Sequence, residues 1–98
     1  MLYSLTDKLK FNDSPQIQIK DKVLTVDNSA TTILELMDIV QNEGDLEGAK
    51  ATMNLLFSDK DKKAIEKMNL NIEDYMTLAS TAMDLALGND PDADNRGE

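Results

Sequence analysis

Apolar and polar residues alternate first with a period of two and then with a period near 3.6. Gln16-Ile17-Gln18-Ile19-Lys20 alternates polar and apolar, and Val23-Leu24-Thr25-Val26 follows with β-branched residues. Alternation over such short runs predicts two strands, and the polar Asp21-Lys22 between them predicts a hairpin over about residues 16–26. No glycine marks the connection, so its turn type stays open. Upstream, Lys8-Leu9-Lys10-Phe11 has the pattern of a third strand, followed by the loop signal Asn12-Asp13-Ser14-Pro15.

From Asp27 the spacing is helical. Asp27, Asn28 and Ser29 offer N-cap oxygens, and Ile33, Leu36, Met37 and Val40 fall on one face. Gly44 is placed to end this helix in a C′ role. A second helix from Leu46 to Phe57 carries Leu46, Ala49, Met53, Leu56 and Phe57 on its apolar side. Ser58-Asp59-Lys60-Asp61 resembles a capping box with Asp for Glu, and opens a short helix burying Ile65 and Met68. Asn71, with Asp74 three residues on, opens the last helix, Ile72 to Leu87, which Gly88 ends. Its stripe is Ile72, Tyr75, Met76, Ala79, Ala82, Met83 and Ala86. The expected fold is therefore α+β and mostly α: an N-terminal β-hairpin, about four short helices at 29–87, and a disordered acidic C-terminal tail. Residues 1–88 form the one globular domain, and 89–98 the tail.

Composition narrows the function. The 98 residues hold 10 Lys plus Arg against 19 Asp plus Glu, a net charge of −9, with no Cys and no His. Thiol chemistry, disulfides and zinc fingers are excluded, as is histidine acid–base catalysis. The negative charge argues against nucleic acid and against anionic membrane surfaces as partners. No apolar run approaches the roughly 20 residues that span a bilayer, and the first residues lack a secretory h-region. A cytoplasmic location is expected.

Candidate chemistry fares poorly. Asp90, Asp92 and Asp94 alternate like calcium-loop ligands, but the position needing a sharply turning glycine is Asn95, so no metal site is expected. The pairs Glu73–Asp74 and Asp59–Asp61 sit in first helical turns, where capping and dipole complementarity account for them. No nucleophile elbow or phosphate-binding glycine loop occurs. The expectation is a protein without catalytic residues or cofactor. The acids are interspersed with lysines along the sequence, which reads as a solubilising coat more than as a phosphate mimic.

Apolar residues are in slight surplus. Met37, Met53, Met68, Met76 and Met83 place a flexible side chain in every helix, as core filler or as an adaptable contact surface. Leu34 and Ile39 flank the first helix's core line. Leu55 lies opposite Met53, and Leu78 with Leu85 forms a ridge beside the last helix's core face. Leu55, Leu78 and Leu85 are accordingly the candidate partner-binding residues, for a homo-oligomeric contact or a partner helix.

The order of elements resembles the tail assembly chaperones of long-tailed bacteriophages, small acidic proteins encoded just before the tape-measure gene. The hairpin Ile17–Val26 leads into a capped helix containing Thr32-Ile33-Leu34-Glu35-Leu36. Met53-Asn54-Leu55-Leu56-Phe57-Ser58-Asp59-Lys60-Asp61 is similar to the family's segment of paired leucines, small residue and acid. Ile65 to Met76 looks like its acidic-aromatic helix start, and Leu87-Gly88 precedes a short acidic tail. The resemblance spans roughly residues 16–90. It implies a chaperone that binds the tape-measure protein, keeps it soluble and helps recruit tail-tube subunits. It also implies homo-oligomerisation, residence in the host cytoplasm and absence from the mature virion. The chain would correspond to the shorter product, without the extension that a ribosomal frameshift adds in many of these phages. The alternative expectation is a small acidic inhibitor or DNA mimic binding a basic partner.

Overall fold

A computed structural model describes residues 1–6 and 14–89. The third strand expected at Lys8–Phe11 lies outside the described residues, as do residues 90–98 of the expected tail. The order of elements is β1 (Gln16–Ile19), β2 (Lys22–Thr25), α1 (Ala30–Asn42), α2 (Asp45–Leu56), α3 (Asp59–Met68) and α4 (Ile72–Ala86). The hairpin followed by four helices is the α+β, mostly α architecture that the periodicities predict.

The strands pair antiparallel, with Ile17 opposite Leu24 and Gln18 opposite Val23. Alternation then sets the faces. Leu24 and, two residues on, Val26 are fully buried, whereas Val23 points to solvent. Lys20 and Asp21 make the connection, and Lys20 takes a positive φ of 55° without being glycine. Such a conformation costs about 1–2 kcal/mol for an L-residue. The Gln18 side-chain amide donates to the Lys20 carbonyl at 3.0 Å and supports the turn.

From the last residue of β2 onward, three consecutive backbone N–H groups go to three different segments. Thr25 donates to the Asp61 carboxylate at 3.0 Å. Val26 donates to the Pro15 carbonyl and Asp27 to the Leu56 carbonyl, each at 2.9 Å. Leu56 is the last residue of α2, so Asp27 satisfies a carbonyl that the helix itself leaves open. These bonds hold the hairpin against the ends of α2 and α3.

Capping sets the helix boundaries. Ser29, Ser58 and Asn71 are the N-caps of α1, α3 and α4, and each side chain accepts the N–H three residues on. In α3 the Asp61 side chain reaches Thr25, so the reciprocal half of the expected box is turned to a tertiary contact. α4 ends in a Schellman arrangement. Gly88 at φ 83° donates to Leu85, and Asn89 donates to Asp84. Gly44 departs from its expected role. It is the N-cap of α2 at φ −73°, because Glu43 already ends α1 in an extended conformation.

α2 is the central helix, packing on both α1 and α4. Its Ala49, Met53 and Leu56 are buried along with Ala79, Ala82 and Ala86 of α4, whose small side chains allow close approach. Leu36, Phe57 and Ile65 complete the core with Leu24 and Val26.

α1 is rotated relative to the expected face. Its buried residues are Thr32 and Leu36, while Met37 and Val40, expected in the core, are exposed. The cause is local. The Thr32 hydroxyl donates to Asp27 at 2.8 Å and accepts from Ser29 at 3.0 Å, which turns that side of the helix inward. Leu46 and Ile72, expected on apolar faces, lie in the first turns of α2 and α4 and are exposed as well.

Candidate docking surface

The rotation of α1 leaves an apolar stripe facing outward. Leu34, Met37 and Val40, three residues apart, are 68%, 50% and 53% exposed. This spacing keeps them on one side of the helix. Along the sequence about them the charge has one sign. From Val23 to Ala49 there is no Lys or Arg, and the acids are Asp27, Glu35, Asp38, Glu43, Asp45 and Glu47.

The stripe runs into a cleft of about 250 Å³ between the end of α1, α2 and α4. Val40 lines both stripe and cleft, and Gly48, Ala49, Met76, Ala79 and Met83 form much of the remaining wall. Ala49 and Ala79 are themselves buried between α2 and α4, so the accessible part of this wall is Gly48, Met76 and Met83. The side chain of Thr52 also borders this cleft. Thr52 is fully buried and its hydroxyl has no hydrogen-bond partner. Methionine adaptability is available at the same place, since Met76 and Met83 are half-buried and Met37 is open.

At the base of α1, the Asp27 carboxyl is held below the ordinary carboxylate value of 3.8. The main cause is the backbone N–H of Ser29, donated at 3.0 Å. Partial burial opposes this, and the side chains of Thr32 and Ser29 add to the lowering. Asp27 is thus an anchor for α1 and needs no catalytic role. Among the described residues no group of three or more Asp, Glu, His or Cys is arranged to hold a metal ion. No helix among them is long and apolar enough to cross a membrane.

The three residues singled out by helical phase do not gather. Leu78 is only 5% exposed and belongs to the core, so its expected place on an outward ridge is corrected. α4 is covered on more than one side. α2 covers the Ala79–Ala82–Ala86 side, and the hairpin's Ile17 and Ile19 border a cleft with Leu78 and Thr81 on another. Leu85 is half-buried. Leu55 is half-buried too, and lines a different cleft with Thr25, Asp27 and Asp61. Sequence phase picks out Leu34 correctly as off the core line and assigns Met37 and Val40 to the wrong side. The base-free run around them is the signal that marks this face.

Comparison of the chain with protein-family models, curated proteins and solved structures finds no match.

Proposed function

We propose that the chain is a phage tail assembly chaperone that binds the tape-measure protein, keeps it soluble and helps recruit tail-tube subunits. The observation that carries this reading is the outward stripe Leu34–Met37–Val40 with the cleft it enters. A long apolar helix of a client needs a complementary groove, and α1 with the α2–α4 cleft supplies one with methionines at its edge. The surrounding carboxylates favour client segments with flanking lysine or arginine and keep the loaded complex dispersed. Leu55 and Leu85, both half-buried, are secondary contact candidates, whereas the buried Leu78 is not. In this reading the protein works without catalysis or cofactor, self-associates, acts in the host cytoplasm and leaves before the virion is complete.

Co-expression tests it. A tape-measure protein from the same genome stays soluble with the chain and aggregates without it. Equal solubility in both cases removes the proposal.

The reading of a DNA mimic or acidic inhibitor draws on the same base-free run 23–49. The two differ in salt response. Binding by apolar contact persists at moderate ionic strength, whereas a mimic's grip on a basic enzyme fades as salt screens it. The apolar stripe inside the acidic run favours the chaperone.

A further inference from the structure

Half of the basic residues gather in one place. Five of the ten basic residues, Lys20, Lys22, Lys60, Lys63 and Lys67, line one cleft of about 730 Å³ between the hairpin turn and α3. Lys60, Lys63 and Lys67 come from one side of α3 by their spacing, and the positive φ at Lys20 sets the hairpin turn opposite them. The floor is apolar: Ile19, Ala64, Met68 and Leu70. Asp21 is the one acid in the lining.

All five lysines are exposed, and among the described residues none makes an ion pair. The neighbouring Lys62, outside the lining, does pair, with Asp59 at 3.3 Å. A chain carrying −9 has no solubility need for five cations on one wall. An anionic occupant there meets five cations from two sides.

We propose that this cleft docks an acidic peptide segment of a partner protein, one with large apolar side chains between its carboxylates. The apolar side chains rest on Ile19, Met68 and Leu70, and the lysines meet the carboxylates. Lysine is a point charge on a flexible stem, so the cleft selects charge and hydrophobicity more than a fixed sequence. Nucleic acid fits less well. Its backbone offers no apolar side chain for the floor, and a long polyanion running past the cleft meets a chain of net charge −9. The chain's own residues 90–98 supply Asp90, Asp92, Asp94 and Glu98 but no large apolar residue. This surface is separate from the α1 stripe, and its test does not depend on the chaperone reading.

The test is fluorescence anisotropy of the full chain with a short labelled peptide in which Asp and Glu flank leucines. Binding is expected to weaken with salt and to fall at least about tenfold when the leucines become serines. The double reversal Lys63→Glu with Lys67→Glu, both exposed, is expected to cost at least about tenfold while leaving the melting temperature in place. Three results overturn the proposal: no binding at low salt, binding indifferent to the reversal, or a single-stranded oligonucleotide that competes as well as the peptide. A chain cut after Asn89 that binds the peptide about tenfold tighter also overturns it, since the occupant is then the chain's own terminus.

Discussion

The Asp61 carboxylate in the first turn of α3 accepts the backbone N–H of Thr25, the last residue of β2, at 3.0 Å. One side chain therefore serves both a helix start and the only sheet among the described residues. The hairpin is too short to be stable alone, so such ties hold it on the helical body. Asp61→Ala is expected to cost about 1–2 kcal/mol in urea denaturation, the low end for a bond to a charged acceptor because this one is exposed to solvent. Asp59→Ala removes a carboxylate from the same helical turn without the tie, and is expected to cost under about 0.5 kcal/mol. Equal costs for the two would show that Asp61 acts only on the helix dipole.

Asp27 gives a pH signature. Its pKa is lowered in the folded state, chiefly by the Ser29 N–H, so ionised Asp27 stabilises the fold above the ordinary carboxylate value of 3.8. That contribution is lost as pH falls through the lower folded value. Asp27→Asn is expected to be less stable than the parent at neutral pH, with the gap closing below about pH 4. A gap that stays constant down to acid unfolding contradicts the assignment.

Thr52 is buried with an unpartnered hydroxyl. Thr52→Val keeps the shape and removes the unsatisfied group, and is expected to stabilise the chain by about 1 kcal/mol. Thr52→Ser keeps the hydroxyl and loses a methyl, and is expected to destabilise by about 1 kcal/mol. Thermal melts compare them. If valine destabilises as much as serine does, the hydroxyl has a partner and the cleft beside it is arranged otherwise.

Leu78 and Leu34 separate core from surface. Leu78→Ala is expected to cost about 2–4 kcal/mol, and Leu34→Ala to stay within about 0.5 kcal/mol. A small cost at Leu78 would restore it as a surface residue.

Local chemistry made the elements readable. Alternation at Ile17, Ile19 and Leu24 shows the hairpin, and Ser29, Ser58 and Asn71 show the helix starts. Gly88 shows the last helix end, because a left-handed residue there has few substitutes. Which face each helix buries was less legible, since bonds at the helix start and tertiary partners decide it, not period alone. Met37 and Val40 share the apolar period of α1, but the Asp27–Ser29–Thr32 bonds turn the other side inward. Leu78 lies off the α4 stripe, yet a second neighbour, the hairpin, faces it. The lysine cleft was hidden because its residues come from two segments some forty positions apart, each mixed with acids in the sequence.

The most direct measurement concerns the α1 face. The triple variant Leu34→Ser, Met37→Ser, Val40→Ser alters only exposed positions, so its fold and melting temperature should match the parent within a few degrees. Co-expressed with the tape-measure protein of its own genome, the parent chain is expected to keep the client in the soluble fraction. The folded triple variant is expected to leave it in the pellet. A folded triple variant that solubilises the client as well as the parent contradicts the account.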